Sequence, residues 1–166
     1  TITQNIAGLI SDPMGENVAL LQDKGISVKL GDQDTTAATV LNGNTIRWTK
    51  TDGFSGTVTM KYKVQVKDSA KNGKVLSIPL NDDATFNYVH NGTSHSVAFP
   101  QPAAQAAALT VSYKVGDKTV KTEEDYTLLG ENAAFTTTIP SEGDTVVIKG
   151  KTYYVSSTNG SVPEQL

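Results

Sequence analysis

The clearest pattern in the chain is a regular alternation of apolar and polar residues. Over Thr57–Lys67 every second residue is apolar, and the residues between them are Thr, Lys or Gln. A period of two belongs to a β-strand, whose side chains point alternately to its two faces, so one continuous strand is predicted here. One apolar face and one polar face are typical of an antiparallel sandwich. We expect burial of Val58, Met60, Tyr62, Val64 and Val66, and exposure of Lys61, Lys63 and Lys67.

The same alternation recurs along most of the chain and predicts an all-β fold. Ile26–Leu30 and Thr45–Thr49 alternate in this way. Ala84–Val89 and Ser96–Phe99 flank the polar segment His90–Thr93, which indicates a β-hairpin with a slightly long turn. Further strands are predicted at Leu109–Val115, Tyr126–Leu129, Ala133–Ile139, Thr145–Lys149 and Thr152–Ser156.

Two segments depart from this pattern. Thr1–Ile10 has apolar residues three and four positions apart and is followed by Pro13, so a short N-terminal helix is predicted. Residues 103–107 are almost all alanine, in a run too short to form a stable helix alone, and they follow a proline-rich stretch. We predict that they link two small antiparallel β-sandwich modules, at residues 10–102 and 108–166.

The composition agrees with this fold and excludes several functions. The chain has 166 residues, and 22 Thr, 16 Val and 8 Ile supply the β-branched side chains that suit strands. The absence of cysteine excludes disulfides and thiolate metal sites. A formal net charge of −3 without basic runs disfavours partnership with nucleic acid or a membrane surface. No apolar stretch approaches the roughly 20 residues of a membrane-spanning helix.

Motifs for catalysis or for a bound cofactor are missing from the sequence. There is no nucleophile elbow, zinc-protease helix or phosphate-binding loop, so we expect no enzyme activity and no cofactor. Asp32 and Asp34 have the spacing of the first calcium-loop ligands, but the later Gly and acidic residue are absent, and a polar turn is predicted instead. His90 and His95 could meet across the predicted hairpin, but two histidines alone make a poor metal site, and we expect an exposed pair.

Four segments in order carry a resemblance to a known family. They are Ser11–Glu16, Thr45–Trp48, Met60–Asp68 and Asn81–Tyr88, closed by Phe99-Pro100-Gln101-Pro102. Over about residues 10–102 the chain resembles the β-domain that follows the von Willebrand factor A domain in pilus-tip adhesins and wall-anchored proteins of Gram-positive bacteria.

The resemblance implies an Ig-like or Cna-B-like sandwich in an extracellular protein that is anchored to the cell wall or to a pilus. It also implies that residues 1–9 are the tail of a preceding domain. The expected partners are neighbouring domains of the same surface protein and, through the full-length protein, a host ligand or glycan.

Some domains of this kind are locked by an isopeptide bond between a Lys and an Asn, with an acidic residue nearby. The resemblance places the Asn at Asn81, beside Asp83, and the Lys in an upstream segment. In the second module Lys114 and Asn159 are weaker candidates. The attacking amine must lose its proton, which requires burial in an apolar core. Because the lysines of this chain lie mostly on polar faces, we expect no such bond in the chain alone, and a turn-stabilising role for Asn81 and Asp83.

Two functions are compatible with the sequence. The first is a non-catalytic stalk or spacer that presents a binding domain lying outside this chain. The second is a carbohydrate-binding accessory module of a secreted enzyme, in which exposed aromatic rings stack on sugars. The candidate rings are Trp48, Tyr153 and Tyr154, although Trp48 shares a strand face with Ile46 and is expected in the core.

Overall fold

The computed structural model describes residues 6–54 and 56–166, and it confirms the prediction of a mostly β fold. Within these residues there is one short α-helix, α1 (Asp68–Asn72), and one 3-10 turn, Thr36–Ala38. The strands are β1 (Ile6–Pro13), β2 (Val18–Leu20), β3 (Ser27–Leu30), β4 (Gln33–Asp34), β5 (Thr39–Asn42), β6 (Thr45–Phe54), β7 (Val58–Lys61), β8 (Val64–Val66), β9 (Ser77–Pro79), β10 (Thr85–His90), β11 (Thr93–Ala98), β12 (Ala103–Val115), β13 (Lys118–Leu128), β14 (Thr145–Ile148) and β15 (Lys151–Tyr154).

The chain forms two compact units. The first unit comprises Thr1–Gly73 and Ile78–Ala103, and the second comprises Lys74–Ser77 and Ala104–Leu166. Strand β9 lies at the division between them. The short segment Lys74–Ser77 belongs to the second unit although it precedes that unit's main part by about 30 residues.

The first unit is built around a five-stranded antiparallel sheet in the order β11-β10-β1-β6-β5. Its central strand is β1, in which Ile10 lies opposite Trp48 on one side and Phe86 on the other. A second sheet has the order β4-β3-β7, and β2 pairs with β8. The core cluster joins the two sheets through the buried side chains of Ile10, Val28 and Trp48. The indole N–H of Trp48 donates to Thr35 Oγ1 at 3.1 Å, so its one polar atom is satisfied inside this core.

The alternation over Thr57–Lys67 is confirmed in burial, but the single predicted strand is wrong. Every apolar position of this segment is partly buried and every polar position is exposed. The strand is interrupted at Tyr62 and Lys63, because β7 pairs with β3 whereas β8 pairs with β2. The break occurs because the two halves of the segment pair with different strands. No residue within the segment predicts this change of partner.

The predicted N-terminal helix is also wrong over residues 6–10, the part of it that the structure describes. Ile6–Pro13 is strand β1, and residues 1–5 of the predicted helix lie outside the described residues. The apolar residues of this segment fit a helical spacing, but hydrogen bonding to β10 and β6 on both sides outweighs that local preference.

Residues 103–107, for which a linker is predicted, are the first part of strand β12. Their backbone is hydrogen-bonded within the second unit: Ala106 N–H donates to Leu76 O at 2.8 Å, and Leu129 N–H donates to Gln105 O at 2.8 Å. Strand β12 forms a long hairpin with β13, and Gly116 lies in the turn between them. Strands β14 and β15 form a second hairpin.

The strand predicted at Ala133–Ile139 is absent from the described structure. Thr136 and Thr137 each donate their backbone N–H to Asp125 Oδ2 at 2.9 Å. A carboxylate therefore accepts the hydrogen bonds that a neighbouring strand would otherwise accept, and the segment does not join a sheet.

Candidate functional site

The first unit holds a buried pair of polar residues, Asp12 and Asn81, which are 7% and 5% exposed. Asp12 lies near the end of β1, and Asn81 is in an isolated bridge with Met14. Two backbone hydrogen bonds flank this bridge, from Gly15 N–H to Leu80 O at 3.1 Å and from Asp82 N–H to Pro13 O at 2.8 Å. The backbone thus fixes the Asn81 segment against the end of β1.

The side chains of this pair are incompletely satisfied. Asp12 Oδ1 and Asn81 Oδ1 are buried and have no hydrogen-bond partner. Burial raises the pKa of Asp12, and hydrogen bonds from Tyr62 and Asn81 offset this only in part. Burial, followed by the neighbouring Asp12, raises the pKa of Tyr62. The raised pKa makes Asp12 easier to protonate than an exposed carboxyl, and a protonated carboxyl can donate a hydrogen bond to an amide oxygen.

A cavity of about 510 Å³ adjoins the pair. Asp12, Tyr62 and Asn81 line it together with apolar residues that include Val58, Met60, Ala84, Phe99 and Pro100. Gln101 also lines the cavity, and its Nε2 donates to the backbone oxygen of Asn81 at 2.7 Å. The arrangement is an apolar cavity with a few convergent polar groups, as ligand-binding and reactive sites commonly are.

The buried carboxyl that meets Asn81 is Asp12, whereas the acidic candidate named by the resemblance is Asp83. Asp83 is exposed, with a positive φ of 48° in a turn. Sequence reasoning missed Asp12 because the predicted helix ended just before it and left it in a loop. No lysine among the described residues is buried, so none meets the requirement for a deprotonated amine next to Asn81.

The second pair of cross-link candidates lies in exposed positions. Lys114 is near the end of β12, and Asn159 follows β15. Both residues are exposed, whereas the cross-link requires an amine that is buried in an apolar core. Glu123, one of the acidic residues between them, forms an ion pair with Lys121 at 2.8 Å.

The three candidate sugar-stacking rings lie in different environments. Trp48 is 0% exposed, as expected for a core residue, so it offers no ring face to a sugar. Tyr153 is partly buried, with Lys151 Nζ 5.3 Å from its ring centroid. Tyr154 is 71% exposed. Of the three candidates, only Tyr154 has a freely accessible ring.

The remaining candidates for metal binding are two aspartates and two histidines. Asp34 Oδ1 accepts the N–H of Thr36 at 2.9 Å, at the start of the 3-10 turn, while Asp32 is exposed. His90 is partly buried and His95 is exposed, with ring centroids 6.3 Å apart. Over residues 6–54 and 56–166 no three His, Cys, Asp or Glu side chains gather in a metal-binding group. Nor does any helix in that part of the chain have the length and apolarity to cross a membrane.

The antiparallel sheets of the first unit and the core between them define an immunoglobulin-like domain. The family model of the tip pilin GBS104-like Ig-like domain matches residues 4–105, and the chain belongs to this family. The resemblance to the β-domain of pilus-tip adhesins is thereby confirmed. Family membership implies a pilus-associated location at the cell surface. Neither the search of curated proteins nor the search of solved structures found a significant match.

Proposed function

We propose that this chain is a non-catalytic structural module of a bacterial pilus-tip protein, which spaces and presents a binding domain outside these residues. Membership of the tip pilin family supports this function. The central strand β1 is hydrogen-bonded along both edges, to β10 and to β6. Ladder bonds of this kind resist pulling along the strands because many of them must break together.

The observation that carries the proposal further is the buried pair Asp12 and Asn81. Burying polar groups without partners costs free energy, so such a pair calls for an explanation. We propose that Asn81 accepts a lysine from outside these residues, whose side chain enters the adjoining cavity. The expected partners are neighbouring segments and domains of the same surface protein.

The proposed reaction needs no cofactor. The neutral lysine amine attacks Asn81 Cγ, a carbon–nitrogen bond forms, and the side-chain nitrogen of Asn81 leaves as ammonia. Protonated Asp12 donates a hydrogen bond to Asn81 Oδ1, which polarises the carbonyl and stabilises the charge that develops on it. The apolar walls of the cavity favour the uncharged amine.

The test is mass spectrometry on the full gene product that contains this chain. After digestion we expect a branched peptide that joins Asn81 to a lysine, with the loss of one ammonia. Asn81→Ala and Asp12→Asn should both lack the branch, whereas Asp83→Ala, which changes an exposed side chain, should keep it. An unmodified Asn81 in the folded protein, or a branch that survives Asp12→Asn, would overturn the proposed cross-link.

The alternative of a carbohydrate-binding accessory module has less support, because one exposed ring, Tyr154, makes a small stacking surface. Retardation of the chain in a polysaccharide gel, abolished by Tyr154→Ala, would favour that alternative over the structural module.

A further inference from the structure

The chain contains four Asn-Gly pairs, which the fold holds in different ways. They are Asn42-Gly43, Asn72-Gly73, Asn91-Gly92 and Asn159-Gly160, and all four asparagines are exposed. This dipeptide is chemically reactive, because the backbone nitrogen of the glycine can attack the side-chain carbonyl carbon of the asparagine. Glycine has no Cβ that would hinder the close approach. Since exposure is shared by all four pairs, it is the local backbone structure that distinguishes them.

The attack closes a five-membered imide ring, which places a strict demand on the backbone. The asparagine must rotate its ψ angle until the following nitrogen lies against its own Cγ. The ψ angles of helices, strands and left-handed turns all leave these two atoms apart. An asparagine in regular structure therefore reacts only after that structure has opened locally, and the free energy of opening lowers the rate.

Two of the pairs lie in well-held backbone. Asn72 is the last residue of α1, and Gly73 donates its N–H, the group that would attack, to Ser69 O at 3.0 Å. Asn91 and Gly92 form the two-residue turn between β10 and β11, both with positive φ, at 50° and 73°. The pairing of the two strands keeps this turn closed. In both pairs the backbone must open before the ring can form.

The third pair lies at the end of a strand. Asn42 is the last residue of β5 and pairs with Thr45 across a two-residue turn. Gly43 O accepts a hydrogen bond from Gln22 Nε2 at 3.1 Å, so this turn is also held from outside the hairpin. Rotation of Asn42 would break its pairing, and we expect this pair to react slowly as well.

The fourth pair lies in a segment without regular structure. Asn159 and Gly160 belong to no helix or strand. Within the part of the chain that the structure describes, neither the side chain of Asn159 nor the N–H of Gly160 makes a hydrogen bond. The nearest restraint is a side-chain contact, from Thr158 Oγ1 to Pro140 O at 2.9 Å. Asn159 can therefore rotate without breaking a backbone ladder.

We propose that Asn159 is a site of spontaneous deamidation, which proceeds through an imide formed with Gly160. The Gly160 nitrogen bonds to Asn159 Cγ, and the side-chain nitrogen leaves as ammonia with the proton that Gly160 gives up. Water then adds to one of the two imide carbonyls and opens the ring. The product is an aspartate or, when the other carbonyl reacts, an isoaspartate whose main chain runs through the former side chain.

The modification adds negative charge to the second unit. Gly160 lines a cleft of about 580 Å³ together with Glu142 and Glu164, so the new carboxylate is attached beside a cleft that already carries two acidic side chains. The isoaspartate also lengthens the main chain by one carbon next to the contact made by Thr158. This inference does not depend on the proposed cross-link, because it concerns a different asparagine and needs no lysine.

The test is incubation of the folded chain at mildly alkaline pH, followed by peptide mapping with mass spectrometry. Deamidation replaces an amide NH₂ with OH and raises the mass of the peptide, whereas a cross-link lowers the mass by one ammonia. We expect Asn159 to convert at least about tenfold faster than each of the other three asparagines, because those react only from locally opened states. In guanidinium chloride, which unfolds the chain, all four should convert at similar rates.

Two variants separate the proposed chemistry from other changes at this segment. Gly160→Ala adds a Cβ beside the attacking nitrogen, so conversion at Asn159 should fall by more than about tenfold in both the folded and the unfolded chain. Ser161→Ala is the matched control, since it keeps the Asn-Gly pair and should convert as the wild type does. Conversion of Asn159 no faster than that of the other three in the folded chain, or unchanged conversion in Gly160→Ala, would overturn the proposed site.

Discussion

The aromatic ring of Phe86 lies directly over Gly8, across the pairing of β1 with β10. A Cβ atom added at position 8 would lie 2.8 Å from Cζ of Phe86, closer than real contacts allow. Phe86 cannot turn away freely, because its ring stacks on Tyr88 with centroids 5.2 Å apart. A glycine in the central strand is therefore required by the aromatic packing above it.

We accordingly expect Gly8→Ala to lower the free energy of unfolding by about 1–3 kcal/mol, because the ring must shift out of its packing. The measurement is urea unfolding, monitored by the fluorescence of Trp48. Gly130→Ala is a suitable control, since a Cβ there meets no atom within 4 Å and should change stability by less than about 0.5 kcal/mol. Equal effects of the two variants would contradict this packing argument.

A second prediction concerns the pH dependence that Asp12 contributes. Its pKa is raised in the folded state by burial, so folding favours the protonated form. The stabilising contribution is present below the ordinary carboxyl pKa and is lost as pH rises through the raised folded pKa. Asp12→Asn should therefore become the more stable protein as pH rises towards neutrality, in urea unfolding repeated across the acidic range. A constant difference between the two proteins at all pH values would contradict the raised pKa.

Asp125 in the second unit should show the opposite pH dependence. Backbone hydrogen bonds, chiefly from Thr137, lower its pKa, so its contribution is present above the ordinary carboxyl pKa and lost as pH falls through the folded pKa. We expect Asp125→Asn to cost about 1 kcal/mol at neutral pH, a modest figure because the carboxylate is largely accessible to solvent. Hydrogen exchange at the amides of Thr136 and Thr137 localises the effect. The control is Asp117→Asn in an exposed turn, which should leave that exchange unchanged.

Limited digestion with elastase, which cleaves after small residues, tests the structure at residues 103–107. Because these alanines lie in the hydrogen-bonded strand β12, they should resist cleavage. Ala134 is exposed and lies outside any strand, so we expect earlier cleavage there. First cleavage within residues 103–107 would instead support the flexible linker expected from composition.

The intact mass of the chain on its own tests whether the proposed cross-link to Asn81 requires a lysine from outside these residues. The lysines of the described residues are not buried, so we expect the measured mass to equal the sequence mass. A mass lower by one ammonia would show that one of these lysines reaches an asparagine.

The parts of the fold that sequence predicted well are those governed by local pattern. Burial follows the period of two from Val58 to Val66, because each side chain's face depends only on its position in the strand. The break at Tyr62 could not be read in this way, since it reflects the choice of partner strands far away in sequence. The helical spacing of the apolar residues in β1 likewise gives no sign that β10 and β6 pair with this segment.

The candidate site combines one residue that the sequence singles out with one that it does not. Asn81 was found through family resemblance, and its burial agrees with a special position. Asp12 was missed because its importance arises from the pairing that sets the end of β1 beside Asn81. No local signal reports a contact between residues so distant in the chain.

The central place of β1 also governs how the first unit can fold. Ile10 has both of its cross-strand neighbours only when Trp48 on β6 and Phe86 on β10 have paired with β1. Closing such long loops costs chain entropy before the contacts repay it, and folding dominated by distant contacts is slow. During synthesis, β1 leaves the ribosome first among the strands of its sheet and is completed only after β10 has emerged. The first unit is therefore expected to fold late and in one cooperative step.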